Sequence, residues 1–276
     1  MNADRIVGVA LLVLVAFFVQ SFITPQAEAG FLSLDEILAG QGIELPVVWG
    51  ELGEKLIASG VIDQQKLKDL YGDESVYREF IEPKSGKVRL TRQSAAVFLN
   101  FLWALGLGNK NSILETGEMA TSETNLANFA STGGWTLSTT TAMDHYSKHE
   151  FIKLDATQQR LLTRISRTIF RPCCNNSTHF PDCNHGMAML GLLELGISQG
   201  FNEDELYSLA LAANAYWFEG TYRVIDQYFV ARGMKWQEQS PKLILSEKYS
   251  SASGFQKIQA SMQTQKNQQG PSCGVK

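Results

Sequence analysis

The residues of this 276-residue chain best suited to chemistry are its cysteines and histidines, and they are crowded together. There are four of each, and seven of the eight fall between His145 and His185, with Cys273 alone outside. The densest stretch reads Arg171-Pro172-Cys173-Cys174-Asn175-Asn176-Ser177-Thr178-His179-Phe180-Pro181-Asp182-Cys183-Asn184-His185-Gly186-Met187. Thiolate sulfur and neutral imidazole are the donors that zinc and copper prefer. A tetrahedral set can be drawn from Cys173 or Cys174 together with His179, Cys183 and His185. Met187 lies four residues after Cys183 and Met189 four after His185, so each could share its partner's helical face, and a thioether ligand would favour Cu(I). The cofactor expected is therefore a zinc or copper ion.

Two other chemistries fit the same residues. A disulfide from Cys173 or Cys174 to Cys183 would staple the loop, because adjacent cysteines close a strained ring if they bond to each other. One cysteine would then be left over, and a spare thiol beside a disulfide allows exchange chemistry. The spacing matches no recognised zinc-finger pattern. No CxxCH occurs, so covalent haem attachment is unsupported.

The loop needs stiff supports, and the sequence offers them. Pro172 and Pro181 bracket it, each fixing its own φ and restricting its predecessor. A helix is expected from about Cys183 to Ser198, with Asp182 as its N-cap. Cys183 and His185 would then occupy the first turn, where the helix dipole favours thiolate and neutral imidazole. Asn175 to Thr178 contains overlapping glycosylation sequons, read here as polar groups that bond the loop backbone. His145 and His149 have the i, i+4 spacing of ligands on one helical face, with Ser147 and Lys148 between them. They read as surface histidines, and as optional ligands if that helix packs on the loop, with Asp144 orienting His145.

The remaining elements read as a mostly α, multi-helix globular domain with short loops. Residues 30–90 form an N-terminal helical hairpin region: Asp63 caps a helix that follows Gly60-Val61-Ile62, and 82–89 is turn-like. Residues 91–246 are the main helical domain carrying the 171–186 loop. Its first helix, from Thr91 to Leu107, is apolar nearly all round and so belongs in the centre. The run Tyr216-Trp217-Phe218 reads as core. Residues 247–276 are rich in Ser, Gln, Lys and Gly and read as a flexible polar tail with at most one short helix.

Residues 1–29 read as a signal peptide or signal anchor: Arg5, then a largely apolar stretch over 6–23, then Ala27-Glu28-Ala29. Either reading sends the rest of the chain out of the cytoplasm, periplasmic or extracellular, and an uncleaved 6–23 would hold it at a membrane by a single pass. A net charge of −4 with no basic run argues against a nucleic-acid partner. No Ser-His-Asp signature, nucleotide loop or paired carboxylates specify a reaction, so no enzyme class is assigned. The leading expectation is an exported metal carrier, sensor or accessory factor. The alternatives are a disulfide-stapled interaction module with a protein partner, or a thiol oxidoreductase using Cys173, Cys174 and Cys183.

Overall fold

Apolar side chains at helical spacing account for most of the architecture. The computed structural model describes residues 31–268. The 1–29 leader and Cys273 therefore lie outside the described residues. No helix among those described is long and apolar enough to cross a membrane.

From Phe31 onward the chain forms one compact, mostly helical unit. Its main helices are α1 (Leu52–Ala58), α2 (Gln64–Tyr71), α3 (Ala95–Gly108), α4 (Ala156–Ser166), α5 (Asn184–Ser198), α6 (Glu203–Trp217), α7 (Glu219–Val230) and α8 (Ala252–Gln268). The local signals do what their chemistry allows. The Asp63 carboxylate accepts from the Gln65 and Lys66 amides to start α2. Asn202 and Glu205 form a reciprocal capping box at α6.

α3 is buried almost all round, as its apolar circumference predicts, and packs along α5. The two helices cross backbone to backbone at glycines. A Cβ on Gly106 would collide with the Met187 carbonyl, and one on Gly191 with the Leu102 carbonyl. That close crossing fixes α5, and through it the loop that enters α5.

Two segments depart from expectation. Residues 82–89 are not a turn. From Lys84 on they belong to β2 (Lys84–Leu90), antiparallel to β1 (Ile43–Gly50) with Ile43 opposite Leu90 and Val48 opposite Lys87. The alternation Leu45, Val47, Trp49 sends three large side chains inward, and Val88 and Leu90 meet them, so pairing across forty residues overrides the local turn signals. Residues 247–268 are not a loose tail either. A short helix (Glu247–Ser250) and α8 bury Tyr249, Ser250, Ser251 and Ile258. Their polar serines are satisfied inside: Ser250 Oγ donates to the Ile244 carbonyl and bonds Tyr222 Oη.

α5 also carries a buried acid. Glu194 is fully enclosed, with Asn111 Nδ2 donating to Oε1 at 2.5 Å and Oε2 without a hydrogen-bond partner. Burial pushes its pKa up to about 8, against the pull of the Asn109 and Asn111 amides. A folded-state pKa raised above the unfolded value of 4.5 means that the unfolded chain releases this proton first as pH rises. Stability should fall from about pH 4.5 to about pH 8 and level off above. Urea unfolding at pH 5 and pH 8 should show that Glu194→Gln removes a loss on the order of 3 kcal/mol. An unchanged slope between the two proteins would contradict a neutral Glu194.

Candidate functional site

α4 ends at Ser166, ahead of Pro172, and the chain then folds back on itself around the Arg171 side chain. Arg171 is 1% exposed. Its Nε donates to Cys183 Sγ at 3.1 Å, Nη1 to the Asn176 carbonyl at 2.8 Å, and Nη2 to Asp182 Oδ1 at 2.7 Å and the Phe180 carbonyl at 3.2 Å. Burial alone would lower its pKa. The Cys183 charge and hydrogen bond, with Cys174 and Asp182 beside them, outweigh that and keep it above its ordinary value.

Asp182 is therefore not the N-cap that the sequence suggests. Arg171 holds one of its oxygens, and Asn176 Nδ2 donates to the other at 2.7 Å. Cys183 is the N-cap of α5, and its sulfur accepts from the Gly186 amide at 3.4 Å. The first turn carries Asn184, His185 and Gly186, and a Cβ on Gly186 would strike the Arg171 guanidinium.

The Cys183 sulfur is the centre of the cluster. Cys173 Sγ lies 3.4 Å from it and Cys174 Sγ 4.0 Å. Hydrogen bonds from Cys173 and Cys174, then the Arg171 charge and its Nε–H, hold the Cys183 thiol well below the usual range despite burial. Cys173 is raised in turn, by its hydrogen bonds to Cys174 and Cys183 and by burial. The bond from Cys173 lowers Cys174, but its contact with Cys183 and burial prevail and push it up to about 11. The arrangement is one thiolate served by two thiols. No disulfide is present among the described residues: Cys173, Cys174 and Cys183 are all free, so the alternative of a disulfide staple is not formed. The Cys183 sulfur is occupied instead as an anion that accepts from Arg171 and Gly186.

His185 joins the sulfurs. One of its ring nitrogens lies within 4.8 Å of both Cys173 and Cys183 sulfurs, and these three constitute a metal-capable group. Its ring packs on Phe218 at 4.4 Å and Trp217 at 5.9 Å between centroids, so part of the expected aromatic core run forms the wall of the site. Desolvation lowers its pKa, the Arg171 charge adds to this, and the Cys183 charge opposes it. Its Nδ1 is buried without a hydrogen-bond partner.

A second group joins Cys174, Asp182 and Cys183, but both Asp182 oxygens are already engaged, so Asp182 orients rather than offers itself. The Asn175 side chain accepts from the Ser253 amide, and the Cys174 carbonyl accepts from the Ala252 amide. The start of α8 thus pins the loop from outside.

The other sequence candidates lie elsewhere. The His179 amide donates to the Ser166 carbonyl, and its ring turns to Glu118, 3.5 Å away. It belongs to neither group of donors. Met187 and Met189 are packed in the hydrophobic core. His145 and His149 do meet, His145 Nδ1 to His149 Nε2 at 3.1 Å, but not on an exposed helical face. The helix there is only Ala142–His145, Ser147 takes a positive φ of 53°, and His145 is buried with Nε2 on Thr140 Oγ1. Asp144 caps that turn with Thr141 and does not orient His145.

No protein-family model matches the chain, and comparison with curated proteins and with solved structures gave no match.

Arg171 is the group on which the loop closes. Arg171→Met should lower the unfolding free energy by roughly 3–5 kcal/mol, because it strands a carboxylate and a thiolate. The alkylation rate of Cys183 against pH should show its pKa returning toward the ordinary thiol range. A variant with unchanged stability and an unchanged alkylation profile would contradict this role.

Proposed function

We propose that the protein binds a thiophilic transition-metal ion through Cys173, Cys174, Cys183 and His185, and acts as a metal carrier, sensor or accessory factor. The observation that carries this reading is the spacing of the sulfurs. Two thiolates on a tetrahedral zinc at about 2.3 Å each stand about 3.8 Å apart. The 3.4 and 4.0 Å separations around Cys183 flank that value.

The donor chemistry agrees. His185 is held as neutral imidazole and keeps a buried Nδ1 with no partner. Three thiolates, one imidazole and a divalent ion would carry one negative charge, and the buried Arg171 guanidinium beside them offsets it. These features suit zinc, and Cu(I) is the second candidate because soft thiolates also select it. The leader-like residues 1–29 support export, where a bound metal would protect the thiols from oxidation.

The test is the metal content of chain purified anaerobically and loaded with zinc or Cu(I) in turn. One ion per chain is expected. Cys183→Ser and His185→Ala should each weaken retention against a competing chelator by about tenfold or more. His179→Ala and His149→Ala should leave it unchanged. Full retention in Cys183→Ser, or no stoichiometric ion with all three thiols reduced, would refute the proposal.

A thiol oxidoreductase is the second reading, favoured by the low pKa of Cys183 with Cys173 at 3.4 Å. Rapid, reversible disulfide formation in a metal-free chain would move the assignment there.

A further inference from the structure

The ring that leaves the sulfur cluster lines a different space. His179 closes one side of an open cavity of about 300 Å³, bordered also by Glu118, Arg167, Thr116, Thr121 and Thr163. That volume is at the lower end of small-ligand pockets, so the occupant would be small.

The polarity of the lining is one-sided. Thr116 Oγ1 donates to the Ser112 carbonyl at 3.0 Å, Thr121 Oγ1 to the Gly117 carbonyl at 3.1 Å, and Thr163 Oγ1 to the Gln159 carbonyl at 2.9 Å. Each hydroxyl hydrogen is spent on a backbone carbonyl four residues earlier, so each of these threonines keeps only acceptor capacity for a ligand. Glu118 adds a carboxylate. Against these acceptors stands one charged donor, Arg167. Its Nη1 bonds Glu118 Oε1 at 2.6 Å, end on, and its Nε and Nη2 have no partner among the described residues. The same Glu118 oxygen is 3.5 Å from His179 Nδ1, which is buried and makes no hydrogen bond.

Beside the neutral Ser112 hydroxyl, a cavity with one guanidinium fork, one carboxylate and three acceptor oxygens discriminates by charge. A simple anion would meet Glu118, and a simple cation would meet Arg167. A molecule carrying both charges a few ångströms apart satisfies each and replaces the strained choice of either partner. We infer that this cavity binds a free α-amino acid as its zwitterion, the carboxylate on Arg167 and the ammonium on Glu118 and the threonine oxygens. This site is separate from the metal proposal and does not rest on it.

Calorimetric titration of the full chain with each proteinogenic amino acid in turn tests the inference. N-acetyl-alanine, alaninamide and glucose serve as probes lacking the ammonium, the carboxylate or both. At least one amino acid should bind saturably, and capping either end of alanine should weaken any alanine binding about tenfold or more. Arg167→Gln and Glu118→Gln should each cost about tenfold for the amino acid that binds best. Both residues are half exposed, and circular dichroism checks that the variants fold. Arg164→Gln, whose side chain pairs with Glu203 and does not line the cavity, should change nothing. Arg167→Lys keeps the charge without the fork and should recover only part of the affinity. No saturable binding up to about 10 mM, binding of glucose in preference, or full affinity in Arg167→Gln would overturn the inference.

Discussion

A guanidinium taken out of water needs acceptors for its five N–H groups, and an anion near them. Arg171 finds all its acceptors within the next twelve residues: two carbonyls, a carboxylate and a sulfur. To deliver them, the chain from Asn176 to Cys183 must wrap around the arginine. The gathering of the cysteines follows from that wrapping. Cys173 and Cys174 leave the arginine on one side, Cys183 returns to it on the other, and their sulfurs meet. Gly186 completes the fit, because any side chain there would occupy the space of the guanidinium. The energetic constraint on one buried charge thus sets the shape of the whole loop.

α5 carries this arrangement into the core. Its N-cap and first turn present Cys183 and His185, and its middle presents Glu194 to Asn111. The helix can hold polar groups at both places because its crossing with α3 is made by glycines and apolar side chains, which leave no slack. The site is consequently preorganised by packing as much as by the prolines that bracket it.

Much of this was legible in the sequence. The all-round apolarity of 91–107 announced a central helix, Asp63 announced the start of α2, and crowding alone picked out 171–186. What failed were assignments that depend on a distant partner. Asp182 has the right type and position for an N-cap, but Arg171 outbids the helix for its carboxylate, and Cys183 takes the cap. His179 has the right spacing for a ligand, but its amide bonds Ser166 and turns the ring the other way. The strand at 43–50 carried a plain period-two signal in Leu45, Val47 and Trp49, and its partner at 84–90 was hidden behind Pro83 and Gly86. A lone glutamate within the apolar run of 187–197 was also visible, and only the fold shows that it is sealed from water.

The compactness of the cluster in sequence has a thermodynamic consequence. Cys173 and His185 are only twelve positions apart, so the same four donors stay near one another when the chain is unfolded. An ion held there would keep appreciable affinity for the denatured chain, and its preference for the native state would come only from the geometry that Arg171 imposes. Metal would then tighten this corner of the protein far more than it would raise the melting temperature of the whole.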